Sequence, residues 1–406
     1  MKVGLCGLGE RLSYLARTLY KLIPGFDIVA FFDPNSSRVD TLHGLDRPPV
    51  HYSELGAMLA GEKLDLLMIG SPNFMHLEHI KQGLDAGLRI FVEKPLVISE
   101  AQTYALLEAI RSYGEGDRIL VGMVLRYAPI YRDVQRLVNE GALGPITSIE
   151  ASEHIAPDHG AFFMRDWRRH HQQSGGFLLE KCCHDLDVYQ SLVGARPRRV
   201  VSFGGRKTFT PQNRELEGHP VYHQRASHWG GSPIAFDDDT DLIDYQTALI
   251  EYENGSNLCF HTNLNAPDEY RHFSIFGVKG MAEGDFVRNF LRVHQAPTTK
   301  TLVDKSYAYD DGVSVHYGAE ARMAVQWQQH FETGRALPVS IIDALEAGLT
   351  AIKLDESRLT GRIVDLSETW ERFDSYRVGP VSKTPVPGAS IAKAAITKTT
   401  PIAHTP

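Results

Sequence analysis

The sequence has few cysteines and no long apolar run. Its 406 residues include four cysteines, which form no disulfide framework and suit a reducing compartment. No apolar stretch approaches the roughly 18 residues of a membrane span. The first residues lead directly into a strand-like segment, without the basic region and cleavage site of a signal peptide. We therefore expect a cytoplasmic protein without a membrane partner.

The sequence also lacks an excess of positive charge. Its formal net charge of -8 argues against a nucleic-acid partner, which normally requires a basic face. With 43% hydrophobic and 23% charged residues, the composition is that of an ordinary globular protein long enough for two or three domains. From residue 379 to 406 the chain turns to Pro, Thr, Ala and Lys without an apolar period, which predicts a flexible tail.

A glycine turn near the start predicts a dinucleotide-binding fold. The strand-like residues 2–6 and a helical apolar pattern flank Gly7, Leu8 and Gly9, with Arg11 close behind. Glycines at these positions permit a tight turn and a close approach to a pyrophosphate at the helix N-terminus. The third position of the fingerprint is Leu12 instead of glycine or alanine, so helix and strand must pack differently there.

The next strand ends in an acidic residue at the position that recognises the adenosine ribose. Asp33 lies 24 residues after Gly9, where a carboxylate would accept hydrogen bonds from the ribose hydroxyls. The same carboxylate would repel a 2'-phosphate, so the sequence favours NAD over NADP. A solvated carboxylate at a strand end is the alternative, and Arg38 is the one residue that favours NADP.

Further strand-helix units follow, which predicts a parallel doubly wound sheet over residues 1–122. Ligands of such sheets gather at the carboxyl ends of the strands. Two short segments fall there, and they supply the remaining cofactor-binding candidates: Ser71, Pro72, Asn73, His76, Glu93 and Lys94.

Several segments together resemble one family in its own order along nearly the whole chain, the tail excepted. They are the "GLG" turn, Asp33, "SPNFMH" at 71–76, "AGLRIFVEKPL" at 86–96, "LRYAP" at 125–129, "GALGPI" at 141–146, "SGGFLLEKCCHDLD" at 174–187 and "DALEAG" at 343–348. The family is that of glucose-fructose oxidoreductase, inositol dehydrogenase and MocA. The resemblance implies a second α/β domain, here residues 123–378, with an open, mostly antiparallel sheet that forms a homo-oligomer, either a dimer or a tetramer.

Lys94 is the first catalytic candidate. Oxidation of a secondary alcohol requires its hydroxyl to lose a proton as hydride leaves, and an ammonium against that oxygen stabilises the developing alkoxide. Pro95 would hold this lysine at the strand end. The alternative is a surface lysine paired with Glu93.

The segment at 178–187 supplies the partners of Lys94. If residues 175–190 form one helix, Glu180 and His184 share a face, and Asp187 continues it and could orient the imidazole. His184 then acts as general base, since its ordinary pKa near 6.5 suits that role. A buried histidine satisfied by Asp187 is the alternative. Relatives usually carry Asp where this chain has Glu180, which changes the reach of the carboxylate.

The neighbouring cysteines predict no metal site. Cys182 and Cys183 have neither a redox spacing nor the spacing of zinc ligands. Adjacent helical positions point about 100° apart, so both cannot join Glu180 and His184 around one ion. We interpret them as small buried hydrophobes and expect activity to be insensitive to chelators.

A basic segment at 164–173 and the residues before it complete the candidates. The resemblance implies that Trp167 and Arg168 contact the cofactor. The surplus charge, including Arg165 and His171, indicates either an anionic substrate group or a solvated basic loop. Residues at the pocket rim are a further set of substrate candidates, namely Arg126 and Tyr127.

The sequence leaves three functions open. The first is an NAD-dependent oxidoreductase that acts on a secondary hydroxyl of a sugar, a sugar derivative or a cyclitol. The second uses the same site as a glycoside hydrolase, in which transient oxidation allows elimination with no net redox change. The third is a non-catalytic regulator that binds NAD and sugar, although such a protein has no need of Lys94 and His184.

Overall fold

The N-terminal region, residues 1–122 and called the first half below although it is shorter than the rest, folds into a parallel sheet covered by helices. The computed structural model describes residues 1–113, 116–225, 232–309 and 316–376. In chain order, the elements of this half are β1 (Lys2–Cys6), α1 (Glu10–Leu22), β2 (Asp27–Phe32), β3 (Val50–Tyr52), α2 (Leu55–Gly61), β4 (Leu66–Ile69), α3 (His76–Asp85), β5 (Arg89–Val92), α4 (Glu100–Tyr113) and β6 (Ile119–Val121).

All six strands run parallel in the order β3-β2-β1-β4-β5-β6, which confirms the predicted doubly wound sheet. The central strands are uninterrupted apolar runs because helices cover both faces of such a sheet. Every residue of β4 is fully buried, for example. The order reverses between β1 and β4, and ligands of this fold bind beside that point.

The second half builds a larger mixed sheet with helices against it. Its elements are α5 (Pro129–Asn139), β7 (Ile146–His154), α6 (Pro157–Phe163), α7 (His171–Ser174), α8 (Phe177–Glu180), α9 (Cys183–Val193), β8 (Pro197–Gly205), β9 (Tyr245–Tyr252), β10 (Asn257–Asn263), β11 (His272–Gly277), β12 (Gly280–Asp285), β13 (Phe290–Gln295), β14 (Thr301–Ser306), α10 (Ala319–Thr333), α11 (Ile341–Thr360), β15 (Val364–Asp365) and α12 (Ser367–Ser375).

Nine strands form this sheet in the order β14-β13-β12-β11-β7-β10-β9-β8-β15. The β7–β10 pair is parallel, whereas the others are antiparallel, so the predicted mostly antiparallel sheet is confirmed. The predicted hairpin joins β9 and β10 through Asn254 and Gly255, whose φ of 86° suits glycine.

Helix α10 brings the second half back onto the first. Trp327 of this helix is fully buried, and its ring lies 5.1 Å from that of Phe91 in β5. At the start of the same helix, Glu320 accepts a hydrogen bond from Arg11 of α1 at 2.8 Å. The glycine turn and the second half therefore share a boundary.

The expected continuous helix over 175–190 is wrong. The segment forms α8, which ends at Glu180, and α9, which begins at Cys183; Cys182 between them has φ -92° and ψ 1°. The predicted flexible tail at 379–406 lies outside the described residues. Across the described ranges, no helix is both long and apolar enough to span a bilayer.

Candidate active site

The glycine turn leaves the start of α1 open to a ligand. Gly7 has a φ of 83°, and a Cβ there would lie 2.8 Å from the backbone of Ser71, so only glycine fits. Gly9 caps α1 without a side-chain hydrogen bond. The first amide groups of that helix are consequently available to an anion such as a pyrophosphate.

The unusual Leu12 is accommodated by a glycine on the neighbouring strand end. A Cβ at Gly70, which follows β4, would lie 2.5 Å from the Cβ of Leu12. Leu12 itself is only 1% exposed. The small residue that the fingerprint normally places on the helix is thus placed on the facing loop instead.

Asp33 and Arg38 both hold the backbone of the glycine turn. Asp33 is buried, and its carboxylate accepts bonds from the amides of Leu8 at 2.7 Å and Asn35 at 2.8 Å. Arg38 donates twice to the carbonyl of Leu8, at 2.8 and 3.0 Å. Each carboxylate oxygen of Asp33 keeps a second lone pair for a ribose hydroxyl. Arg38, by contrast, already uses two donors within the protein.

The loop after β4 is fixed by buried polar contacts. Asn73 donates to the carbonyl of Ser174 at 3.0 Å, which ties this loop to the second half. The two ring nitrogens of His76 lie 2.9 Å from the carbonyl oxygen of Ser71 and 2.8 Å from that of Pro95. Burial lowers the pKa of His76 to about 4. His76 therefore positions the two loops and, with Ser71 and Asn73, borders the cavity described below.

Lys94 is hydrogen-bonded to the backbone of Glu180, the residue that begins the segment leading to His184. Its Nζ donates to the backbone carbonyl of Glu180 at 2.5 Å. Burial lowers the pKa of Lys94, against the opposing influence of Cys183 and Glu180. The adjacent Glu93 is also buried and lies 3.2 Å from Arg11, so the alternative of a Glu93–Lys94 surface pair is not what the structure shows.

Glu180 is held by Arg168 and points one oxygen into a buried space. Arg168 Nε donates to Glu180 Oε1 at 3.0 Å, while Oε2 has no partner among the described residues. Burial raises the pKa of Glu180, although Arg168 and Lys94 oppose this shift. The guanidinium of Arg168 also stacks on Trp167 at 4.3 Å.

His184 lacks the partner that the sequence predicted. The carboxylate of Asp187 is occupied by Arg126, which donates to its two oxygens at 2.6 and 2.7 Å. His184 Nδ1 is buried and has no hydrogen-bond partner within the described ranges. Burial, assisted by Lys94, holds the pKa of His184 well below its ordinary value. The expected orienting role of Asp187 is wrong because a buried arginine takes its charge.

Arg126 and Tyr127 are likewise not rim residues. Arg126 is 5% exposed and bound to Asp187, and Tyr127 is fully buried with its hydroxyl 3.4 Å from the indole nitrogen of Trp327. Neither lines the cavity beside Lys94. Both residues hold the 124–127 turn, which follows the sheet, against the second half.

The basic segment is neither a solvated loop nor a free anion site. Arg165 is 4% exposed and pairs with Glu217 at 2.7 Å, and His171 pairs with Asp355 at 2.8 Å. Neither residue lines the cavity, whereas Trp167 and Arg168 do. The predicted roles of Arg165 and His171 in substrate binding are wrong because their charges are neutralised within the protein.

These groups surround one cavity of about 570 Å³. It extends from the glycine turn past Lys94 to helix α6 and strand β7. Sequence reasoning found the residues at its cofactor end but missed most of the far wall, whose members come from distant segments without a motif. The missed polar and aromatic residues are Glu153, His154, His159, Phe162, Phe163, Lys181, Arg225, Glu269, Arg271, His316 and Tyr317.

The cavity fits a dinucleotide, and its described residues form no cluster of metal ligands. Besides the open start of α1, five buried polar atoms of residues on its wall have no hydrogen-bond partner among the described residues: Arg11 Nη2, Glu93 Oε1, Trp167 Nε1, Glu180 Oε2 and His184 Nδ1. A bound ligand or water would satisfy these atoms. No group of three or more candidate metal ligands occurs in the part of the chain that the structure describes.

Comparisons with known proteins cover both halves of the chain. Residues 1–121 match the Gfo/Idh/MocA "oxidoreductase family, NAD-binding Rossmann fold", and residues 135–366 match its "C-terminal alpha/beta domain". Of the solved structures, levoglucosan dehydrogenase in complex with NADH and L-sorbose superposes with a TM-score of 0.72 at 18% identity, covering 90% of this chain and 98% of that one.

Two curated relatives match about half of the chain. The NAD(+)-dependent scyllo-inositol 2-dehydrogenase of Bacillus subtilis is 27% identical over 207 residues, 50% of this chain and 57% of the relative. The 2,7-anhydro-N-acetylneuraminate hydratase of Escherichia coli is 24% identical over 203 residues, 50% of this chain and 52% of the relative.

Proposed function

Because the chain belongs to the Gfo/Idh/MocA family of oxidoreductases, and its first half is that family's NAD-binding Rossmann fold, we propose that it uses NAD to oxidise a secondary hydroxyl of a sugar or cyclitol. The observation that carries the proposal is the convergence of Lys94, Glu180 and His184 on the cavity that begins at the glycine turn.

Residues of the first half would hold the cofactor. The α1 amides behind Gly9 would donate to the pyrophosphate, and Asp33 would accept hydrogen bonds from the ribose hydroxyls. Trp167 and Arg168 would contact the nicotinamide end from the second half. When bound, NAD accepts the hydride from the alcohol carbon.

Lys94 binds the oxygen of the reacting hydroxyl. Its ammonium stabilises the negative charge that develops there, which a buried cation does more strongly than a solvated one because the surrounding dielectric is low. The carbonyl of Glu180 fixes the direction of Nζ. The lysine is thereby oriented before a substrate arrives.

His184 accepts the proton of that hydroxyl. Its lowered pKa keeps the imidazole neutral near pH 7, so it is ready to act as a base. The free Oε2 of Glu180 accepts a hydrogen bond from a neighbouring hydroxyl. These two groups and Lys94 form the proposed acid/base set.

The charges around the far wall favour a neutral substrate. Lys181 pairs with Glu153 at 3.0 Å, and Arg271 pairs with Glu153 at 2.9 Å and with Asp185 at 2.6 Å. Arg225 pairs with Asp158 at 2.9 Å. A carboxylated or phosphorylated sugar would have to compete with these carboxylates, whereas a polyol would not.

The test is reduction of NAD by a panel of myo-inositol, scyllo-inositol, levoglucosan and carboxylated and phosphorylated sugars. We expect NADH to accumulate stoichiometrically with a neutral member, and Lys94→Met to slow this by about 10²–10⁴-fold while still binding NADH. Lys21→Met, a substitution of an exposed lysine at the end of α1, serves as the matched control. A wild-type protein that binds NADH but oxidises no member contradicts the proposal.

One relative supports a redox-neutral variant of this function. The similarity to a 2,7-anhydro-N-acetylneuraminate hydratase favours transient oxidation at the same site, followed by elimination of a glycosidic bond. In that case a sugar glycoside would release its aglycone while free NADH stays constant. A regulator without catalysis would instead bind NAD and sugar and keep its biological effect when Lys94 and His184 are both replaced by alanine.

The large sheet supports a homo-oligomeric assembly, which we propose as a dimer or tetramer. Phe203 in β8 and Leu249 in β9 are 68% and 49% exposed on one face of the sheet. Apolar side chains exposed together on a sheet are typical of interfaces. Light scattering would detect the assembly, and Phe203→Glu should reduce its mass.

A further inference from the structure

His316 lies in the cavity opposite the proposed base. It lies three residues before the start of α10, and its ring centroid is 6.3 Å from that of His184. Its side chain is 24% exposed, and it borders the same cavity as Lys94 and Glu180. The two imidazoles therefore face one space from different parts of the fold.

Glu320 fixes the orientation and the proton of this imidazole. The carboxylate is fully buried, and its Oε1 lies 2.6 Å from His316 Nδ1. The same oxygen accepts a bond from Arg11 at 2.8 Å, and Oε2 accepts one from the backbone amide of His316 at 3.2 Å. Because Glu320 acts as acceptor in each bond, Nδ1 carries the proton and Nε2 is left as an acceptor.

His184 has no comparable support. Its Nδ1 is buried without a partner in the described ranges, and the carboxylate three residues further on is taken by Arg126. Of the two imidazoles, His316 is the one whose hydrogen-bonding direction is set by the protein. A ring fixed in this way cannot turn to suit a ligand that lacks a hydrogen-bond donor. It therefore discriminates between substrates.

We propose that His316 is a specificity-determining residue, whose Nε2 accepts a hydrogen bond from a substrate hydroxyl other than the one that is oxidised, with Glu320 as its positioning residue. The proposal rests on the function proposed above and adds the class of substrate: a polyol with a second hydroxyl on the side of α10. It also connects substrate to cofactor, since Glu320 binds Arg11 beside the glycine turn.

The experiment compares kcat/KM for each combination of an enzyme variant with a substrate variant, in a double-mutant-type cycle. The member of myo-inositol, scyllo-inositol and levoglucosan that the wild type oxidises fastest is compared with its monodeoxy analogues, for wild type, His316→Ala and His316→Phe. In the wild type, one analogue deoxygenated away from the reacting carbon should lose roughly 10- to 100-fold in kcat/KM, since its absent hydroxyl leaves the Nε2 acceptor unsatisfied. In His316→Ala that analogue and the parent should react equally.

Glu320 is tested by rescue. Glu320→Ala frees the ring and should reproduce the loss of discrimination, whereas Glu320→Gln, whose amide oxygen still accepts from Nδ1, should retain it. A purely structural role of Glu320 would lower the activity towards parent and analogues alike. The matched control is His272→Ala, which removes another histidine-glutamate pair, 3.3 Å from Glu283 and away from the cavity.

The outcomes separate the two proposals. If the wild type oxidises a polyol and the deoxy penalty persists in full in His316→Ala, the role of His316 is refuted and the proposed function stands. Should the alanine variant fail to bind NADH, a full deoxy penalty in His316→Phe, whose ring has no nitrogen acceptor, refutes that role in the same way. If the wild type binds NADH and neither binds nor oxidises any polyol, the proposed function is refuted and the role of His316 with it.

Discussion

Replacing Asp187 by asparagine distinguishes a structural role of this carboxylate from the catalytic role that its position in the sequence suggests. In the structure, Asp187 is 2% exposed and binds Arg126, itself 5% exposed, through two short hydrogen bonds. The substitution keeps the shape of the side chain but leaves the guanidinium without its counter-charge. The expected effect is therefore on stability.

The magnitude follows from the burial of the pair. Removing one partner of a buried ion pair costs about 3–5 kcal/mol, and asparagine should fall near the lower limit because its oxygen still accepts one bond. For a domain of this size, each kcal/mol lowers the unfolding temperature by roughly 2–4 °C. The midpoint should fall by about 6–12 °C, measured by thermal unfolding of the protein without cofactor.

Two further variants act as controls. Arg126→Met combined with Asp187→Leu removes both charges and should recover most of the lost stability. Glu140→Gln breaks the exposed pair with Arg136 and should leave the midpoint unchanged. If Asp187→Asn unfolded at the wild-type temperature while kcat/KM fell with an altered pH profile, Asp187 would serve His184 and our interpretation would be wrong.

Four other predictions concern the site and its surroundings. Lys94→Met should lower kcat by about 10²–10⁴-fold in steady-state assays and change the NADH affinity little, since the lysine acts on the reacting oxygen. Glu180→Asp shortens the side chain by roughly 1.5 Å and should break the 3.0 Å bond to Arg168, so kcat/KM should fall; an unchanged value would show that reach is unimportant here. Asp355 raises the pKa of His171 through a hydrogen bond. The stabilisation from this pair should therefore be fully present below the ordinary pKa of histidine and disappear as pH rises through the raised value. The difference in unfolding midpoint between wild type and His171→Asn should shrink over the same pH range. Dialysis against a chelator should leave NAD reduction unaltered, and a loss that added metal restores would contradict this.

The first half of the fold could be predicted because its signals are local. A strand, a glycine turn and an amphipathic helix follow one another within residues 2–22. The later units repeat the alternation of strand and helix. The hairpin at Asn254 and Gly255 was predictable for the same reason. Lys94 reaches the cavity because it follows β5 at the edge where the carboxyl ends of the parallel strands meet, whereas Glu180 and His184 reach it from α8 and α9 of the second half.

The predictions of residue roles were wrong where a side chain binds a partner that is distant in the sequence. Asp187 had a suitable neighbour in His184, but Arg126, 61 residues away, takes its carboxylate. Arg165 and His171 resembled an anion site, but Glu217 and Asp355 lie beside them in the fold. No short-range pattern encodes such pairings, which is also why the sequence gives no signal for His316.

The pairing of Leu12 with Gly70 constrains the routes by which such a site can change. Leucine at 12 requires glycine at 70, since any Cβ there would lie 2.5 Å from that of the leucine. Only glycine at 12, which has no Cβ, makes no such demand on position 70. In any succession of single substitutions between the two arrangements, glycine must therefore be present at 70 before leucine enters at 12, and must remain until leucine has left. Restoring the common fingerprint by Leu12→Gly alone would not restore the common packing, and it would empty a buried leucine site at a cost of at least about 2–5 kcal/mol.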